Sequence, residues 1–129
     1  MKIAFDFHGV LDKYPSKFKL LMKSLDYDTS VERIILSGPP EEQIKEELKN
    51  AGYIHMSDYD TIISVVDWLK SRDVPMDQYE NGNWYCDDKI WWKSKARICN
   101  CYNIDILFDD KLEYKENIKG DMPLFMHVK

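Results

Sequence analysis

The sequence is poor in cysteine and contains no long apolar run. Its three cysteines, Cys86, Cys99 and Cys101, are an odd number and do not suit a framework of paired disulfides. The four spaced ligands of a structural zinc site are also missing. The apolar stretches are far shorter than the roughly 20 residues that a membrane-spanning helix needs. We therefore expect a cytoplasmic protein, beginning at Met1 because Asp6 interrupts any signal-peptide apolar region.

Basic residues are also in the minority. The chain carries 18 Lys and Arg against 23 Asp and Glu, a net charge of −5. This balance argues against a broad nucleic-acid-binding surface. It is compatible with a phosphorylated substrate, because local charge and a metal ion decide whether a site holds phosphate. With 44% hydrophobic and 32% charged residues, the chain has the composition of one folded domain, which we expect to span residues 1–129.

Short β-branched and aromatic runs alternate with segments of helical periodicity. The runs predicted as strands are residues 3–7, 33–37, 53–56, 104–109 and 124–128. Four helices are predicted. The first follows Pro15, the second occupies residues 40–51, and the fourth occupies residues 88–103. The third is defined by one apolar face, made of Ile62, Val65, Val66 and Leu69. Such alternation favours parallel pairing, because each helix supplies a crossover. We therefore predict an α/β fold: a three-layer, open, mostly parallel sheet of about five strands with helices on both faces.

The stretch 73–87 fits neither pattern. It contains Pro75 and an Asn81-Gly82 pair flanked by polar and aromatic residues. Asn-Gly between such flanks indicates a hairpin. One interpretation is therefore a small flap at 73–87, and the other is an ordinary surface loop with aromatic anchors.

Polar side chains follow three of the predicted strands. Asp6, the pair Ser37-Gly38 and the pair Asp109-Asp110 come at or near strand ends. Ligands of open parallel sheets bind beyond the carboxyl ends of the strands, so we expect these residues to meet. Aspartate after a strand is often a turn former or a helix cap, but three clusters at one rim favour a site.

The three aspartates are suited to holding a divalent cation. Asp6 lies in an apolar run, where an unpaired carboxylate would be costly to desolvate and a nearby cation would offset that cost. A few carboxylates together with waters and a substrate phosphate are the ligands that Mg²⁺ prefers. A carboxylate can also attack phosphorus to give an aspartyl-phosphate. Asp6, Asp109 and Asp110 are therefore candidate ligands of Mg²⁺.

Four short motifs occur in order along residues 3–110. The segment Asp6-Phe7-His8-Gly9-Val10-Leu11, the strand ending in Ser37-Gly38, a lysine and the acid pair at 109–110 together resemble the signatures of the haloacid dehalogenase-like (HAD) superfamily. Its members are mostly Mg²⁺-dependent phosphohydrolases with a Rossmann-like core. The resemblance implies that Asp6 is the nucleophile and that Ser37 and Gly38 bind phosphate.

The lysine of the third motif steadies the nucleophile and the phosphate. The resemblance assigns this role to Lys95, whose spacing from Asp109 is typical of the family, with Lys93 in reserve. The order of the motifs also separates this reading from a phosphoacceptor receiver domain. In receivers the acid pair comes near the start of the chain and the lysine near its end, whereas here the acid pair follows the lysine.

His8 departs from the family pattern, which usually has a second aspartate at this position. That aspartate acts as general acid and base, and its metal contact is through the backbone carbonyl, so the implied metal set is Asp6, His8, Asp109 and Asp110. Histidine can hold and release a proton near neutral pH, and one interpretation is that His8 does the same work. Alternatively, His8 only packs at the rim, and the chain is a HAD-fold binding or regulatory protein with weak or no turnover. Another HAD reaction, such as phosphoryl transfer between substrates, is a third interpretation.

The intervals between the motifs leave little room for a large lid. Residues 12–32 accommodate one helix, and residues 38–92 are mostly used by a strand, two helices and the suggested flap. We therefore expect a minimal family member, without a cap or with a small flap. Its open site would serve a nucleotide, a nucleic-acid end or a phosphorylated protein, and a partner protein is compatible with it.

Overall fold

A five-stranded, all-parallel sheet forms the centre of the molecule in the computed structural model, which describes residues 1–129. Its strands are β1 (Lys2–Phe5), β2 (Glu32–Ser37), β3 (Thr61–Ser64), β6 (Ile106–Asp109) and β7 (Leu124–His127). Two further short strands, β4 (Asp77–Gln78) and β5 (Trp84–Tyr85), form a separate hairpin. The helices are α1 (Pro15–Leu25), α2 (Glu41–Asn50), α3 (Val65–Ser71), α4 (Asp88–Tyr102) and α5 (Leu112–Lys115). An irregular turn, the 7–11 turn, covers Phe7–Leu11, and the backbone of His8 and Gly9 in it is not helical. The strand order in the central sheet is β3-β2-β1-β6-β7, so the predicted α/β class is confirmed.

The sheet has an apolar core on each face because successive side chains of a strand point to opposite sides. Ile3 and Phe5 of β1 pack in one cluster with residues of α1 and α2. Ala4, between them, packs in the other with residues of α3 and α4. The result is a three-layer, Rossmann-like arrangement in which β1 is central and buried on both faces.

The predicted strand at 53–56 is wrong. Its residues form a loop with a single isolated bridge between His55 and Tyr59, and Met56 has a φ of 70°. The Tyr53 ring is buried in the core cluster that contains Phe7 and Leu11 of the 7–11 turn, and its hydroxyl donates to the Leu11 carbonyl oxygen at 2.6 Å. Its apolar character therefore reflects packing against this turn.

The strand beside β2 is Thr61–Ser64, which the sequence pattern assigned to the third helix. Ile62 belongs to this strand, and α3 begins only at Val65. The helix start is set by Ser64, whose hydroxyl oxygen accepts a hydrogen bond from the Asp67 backbone at 3.0 Å. A short β-branched run directly before a helix fits the strand period and the helix period equally well. Only its pairing with β2 shows that it is a strand.

Residues 73–87 contain a two-stranded antiparallel hairpin, in which Gln78 pairs with Trp84. Gly82 in its turn has a φ of 83°, a conformation that glycine adopts without strain. The Lys70 ammonium group of α3 lies 3.3 Å from the centre of the Trp84 ring. This cation–π contact attaches the hairpin to the body of the domain.

None of the helices combines the length and apolar character needed to cross a membrane. The three cysteines are all free.

A buried arginine connects the start of β2 to the loop before β3. Arg33 is 2% exposed, and its guanidinium donates to both carboxylate oxygens of Asp60 and to the carbonyl oxygens of Met22, Met56 and Ser57. Burial alone would raise the pKa of Asp60, but the hydrogen bonds from Arg33 outweigh it and the pKa is lowered from 3.8. The pair therefore stabilises the fold above pH 3.8, and this contribution is lost as the pH falls through the folded-state pKa.

Replacing Arg33 with lysine is expected to lower the free energy of unfolding by about 3 kcal/mol, because lysine keeps the charge but cannot satisfy the buried carbonyl groups. Urea denaturation followed by circular dichroism measures the change. The control is Lys45→Gln, which breaks an exposed ion pair with Glu41 and should cost less than about 0.5 kcal/mol. Equal effects of the two substitutions would contradict a structural role for the Arg33 network.

Candidate functional site

The carboxyl ends of β1, β2 and β6 bring the candidate residues to one edge of the sheet. Phe5 is in register with Phe108 of β6, and the Asp6 backbone N–H donates to the Phe108 carbonyl oxygen at 2.9 Å. Asp6 is therefore level with Asp109, the last residue of β6. Ser37 ends β2 on the other side of β1, so the clusters predicted at three strand ends do converge.

Lys95 joins two of these carboxylates in the interior. Its Nζ lies 2.5 Å from Asp109 Oδ2 and 3.3 Å from Asp6 Oδ1, and all three residues are buried. The Tyr114 ring lies against the same ammonium group, 4.5 Å from Nζ to the ring centre. Lys93, the reserve candidate, is exposed on α4. Of the two candidate lysines, it is therefore Lys95 that contacts Asp6 and Asp109.

The charges of this cluster do not cancel. Burial raises the pKa of Asp6; the ammonium group of Lys95 opposes this, while the Asp109 carboxylate adds to it. Burial by itself would lower the pKa of Lys95, but the two carboxylates outweigh it and the net shift is upward. Lys95 therefore stays cationic, and its single positive charge faces two carboxylates, so ionising Asp6 in the metal-free protein costs folding free energy.

Ser37 and Gly38 lie beside the cluster. The Ser37 hydroxyl is fully buried and has no hydrogen-bond partner, although it is close enough to Asp6 to lower the pKa of that carboxyl. A Cβ atom at Gly38 would be only 3.2 Å from Cζ2 of Trp91. Glycine at this position therefore lets the indole ring approach the end of β2.

Three carboxylates could hold a metal ion. Asp6, Asp109 and Asp110 each offer an oxygen, and these atoms lie within 4.8 Å of one another. Oδ1 of Asp110 is buried without a hydrogen-bond partner, which is costly unless a ligand satisfies it. An all-oxygen set with an orphaned carboxylate oxygen fits a hard divalent cation such as Mg²⁺.

The 7–11 turn after β1 brings the backbone close to Asp110. Gly9 has a φ of 81°, and a Cβ atom there would lie 2.3 Å from Asp110 Oδ2. Both the backbone conformation and the contact require glycine. The glycine of the first motif therefore makes room for a carboxylate of the fourth.

His8 is at the rim of the site and contacts a residue that the sequence did not single out. Its side chain is 49% exposed, and Nε2 lies 2.6 Å from Oε2 of Glu47 on α2. Glu47 is one of several acidic residues on that helix, and nothing in the sequence pattern separates it from its neighbours. The metal contact expected from the His8 carbonyl stays a prediction.

An open cleft of about 670 Å³ leads from the acidic cluster to the hairpin. Asp6, His8 and Lys95 line its inner part, and Trp84 and Trp91 line its wall. Tyr114 of α5 was also missed from the sequence, because α5 itself was not predicted. Burial raises the pKa of Tyr114 to about 12, so its hydroxyl stays protonated at neutral pH.

Comparisons of the chain with protein-family models, with curated proteins and with solved structures found no match.

Adding Mg²⁺ is expected to stabilise the protein, because an ion bound by the three carboxylates binds only the folded state. At a concentration 100-fold above its Kd the gain in unfolding free energy is about 2.7 kcal/mol. Thermal unfolding with and without Mg²⁺ measures it. Asp110→Asn should remove most of the gain and Asp121→Asn, on an exposed loop, should keep it. An equal gain in both variants would contradict the proposed ligand set.

Proposed function

We propose that this chain is a Mg²⁺-dependent phosphohydrolase, a phosphomonoesterase that acts through an aspartyl-phosphate on Asp6, as the resemblance to the HAD superfamily implies. The observation that carries the proposal is the buried bridge from Lys95 to Asp6 and Asp109, at 3.3 and 2.5 Å. An attacking carboxylate needs a cation beside it and a second acid nearby for the metal, and this bridge supplies both. The cytoplasmic location is likewise a proposal, supported by the short apolar stretches of the sequence.

Two unsatisfied polar atoms next to this bridge support a site for a phosphate together with a cation: the Ser37 hydroxyl can donate to a phosphoryl oxygen, and the Asp110 carboxylate oxygen can bind the cation. The Ser37 hydroxyl and Oδ1 of Asp110 are both buried without partners. In the proposal, Ser37 and Lys95 hold phosphoryl oxygens, and Gly38 gives the phosphate close access to the backbone. Asp6, Asp109 and Asp110 would hold Mg²⁺, which when bound neutralises charge on the phosphoryl oxygens.

The proposed reaction proceeds in two steps. An Asp6 carboxylate oxygen attacks phosphorus, the bond from phosphorus to the alcohol oxygen breaks, and His8 protonates that oxygen. A water molecule then attacks the phosphorus and gives a proton to His8, so that inorganic phosphate leaves and the Asp6 carboxylate is restored. Because Nε2 of His8 contacts Glu47 at 2.6 Å, the proton would move at Nδ1, and Glu47 would fix the ring orientation.

Replacing Asp6 with asparagine is expected to reduce turnover of p-nitrophenyl phosphate by a factor on the order of 10⁴ or more, because the amide cannot act as nucleophile. Steady-state rates with Mg²⁺ measure the loss, and circular dichroism checks that the fold is kept. Asp121→Asn is the control and should leave the rate unchanged. Undiminished turnover in Asp6→Asn would rule out the aspartyl-phosphate route.

The second candidate is a binding or regulatory protein with the same pocket and weak or no turnover. The observation that favours it is the Glu47 contact of His8, which occupies one ring nitrogen at the rim instead of leaving both free for substrate. In that case phosphate and Mg²⁺ would still bind at Lys95 and the three aspartates.

His8→Asp separates the two candidates. If His8 is the acid and base of the reaction, the substitution should lower the rate by about 10²-fold, because the new carboxylate is not held by Glu47. The double variant His8→Asp with Glu47→Gln removes the repulsion between two acids and shows how much of the loss that repulsion causes. A large gain in rate for either variant would favour the binding or regulatory protein.

A further inference from the structure

The cleft beside the acidic cluster has an aromatic wall that the proposed reaction does not use. Trp91 of α4 lies against Gly38, next to the proposed phosphate position. Trp84 of the hairpin lines the same cleft further out. A cleft of about 670 Å³ has the size of pockets that enclose small ligands, about 300–1,000 Å³.

The hairpin ring is held in place before any ligand binds. Lys70 covers one face of the Trp84 ring at 3.3 Å from its centre. On the same hairpin, Tyr79 and Tyr85 stack at 4.2 Å between ring centres. A ring fixed by such contacts loses little side-chain entropy when a planar group stacks on it.

Two amide side chains line the same cleft as the aromatic wall. Gln43 of α2 and Asn83 of the hairpin turn both line the cleft. Each amide carries donors and an acceptor, and Gln43 Nε2 already donates to Glu47 Oε1 at 2.7 Å. Planar rings with hydrogen-bonding edges are the groups that aromatic side chains and amides together recognise, and nucleobases are of this kind.

We propose that the aromatic wall is a nucleobase subsite and that the substrate is a nucleoside monophosphate. This rests on the proposed function, because the phosphate must lie at Asp6 and Lys95 for the base to reach the wall. A nucleic-acid strand would need a positively charged groove to follow its backbone. The cleft instead has two lysines, Lys95 and Lys111, among aspartates, and the chain carries a net charge of −5, so a single nucleotide fits better.

The test compares ligands that share a phosphate and differ in the base. The protein carries Asp6→Asn to prevent turnover, with Mg²⁺ present, and calorimetry gives the Kd of AMP, CMP, ribose 5-phosphate, inorganic phosphate and a phosphotyrosine peptide. At least one nucleotide should bind about 10-fold or more tightly than ribose 5-phosphate, since base stacking has effects of this size. The same nucleotide should quench tryptophan fluorescence, and ribose 5-phosphate should not.

Substitutions at Trp84 locate the subsite. Trp84→Ala in the same background should reduce the preference for the nucleotide over ribose 5-phosphate about 10-fold, and Trp84→Phe should retain most of it. Tyr27→Ala, which removes an aromatic ring that is 94% exposed and outside the cleft, is the control and should leave every Kd unchanged.

The outcomes distinguish the subsite from the proposed function. If inorganic phosphate binds and nucleotides bind no more tightly than ribose 5-phosphate, the subsite is refuted and the phosphate site stands. Tighter binding of the phosphotyrosine peptide than of AMP and CMP would also refute the nucleobase subsite. If no phosphate compound binds this variant and none inhibits turnover of p-nitrophenyl phosphate by the unsubstituted protein, both proposals fail. A nucleotide preference that survives Trp84→Ala unchanged would place the base elsewhere and overturn the assignment.

Discussion

The buried ammonium group of Lys95 is the interaction on which the candidate site depends. It brings Asp6 from β1 and Asp109 from β6 to one point and limits the repulsion between their carboxylates. Without it, the interior would contain two unpaired charges, which costs several kcal/mol for each ion. With it, the cluster still carries excess negative charge, because Asp110 is a third acid at the same place. The site is thus stable enough to fold and remains able to attract a cation.

The molecule contains two buried cations, Arg33 and Lys95, which differ in how completely the polar groups of their networks are hydrogen-bonded. Every donor of the Arg33 guanidinium has an acceptor, so that network has nothing left to bind and serves the loop before β3. Around Lys95, by contrast, the Ser37 hydroxyl and one Asp110 oxygen lack partners. Buried polar groups are almost always satisfied in folded proteins. Asp58 Oδ1 and Trp68 Nε1 are exceptions outside the site, whereas Ser37 and Asp110 lie at the edge of the sheet where ligands of such folds bind.

Much of this arrangement could be predicted from the sequence, and the misses have physical causes. Asp6 and Asp109 follow apolar runs, so their convergence is a consequence of parallel strands, and Lys95 lies on a strongly patterned helix. Glu47 could not be found, because its contact with His8 depends on how α2 packs beside the 7–11 turn.

Two further misses arose from local ambiguity. The strand at Thr61–Ser64 was absorbed into the next helix because its β-branched residues fit both periods, and pairing with β2 decides between them. Tyr114 lies on a helix of a single turn, too short to show any periodicity. The hairpin at Asn81-Gly82 was one of two interpretations, and its cross-strand pairing is a local feature that the turn residues encode.

The small size of the hairpin has a consequence for motion. Each of its strands has two residues, and a two-stranded ribbon of this kind has little stability of its own. It is attached through the Lys70–Trp84 contact and through Met76 and Cys86, which pack against the core beside α3 and α4, so the free energy for opening this segment is below that for unfolding the central sheet. Its amide hydrogens should therefore exchange with solvent much faster than those of β1. Because Trp84 lines the cleft, opening of the hairpin would remove one wall of it.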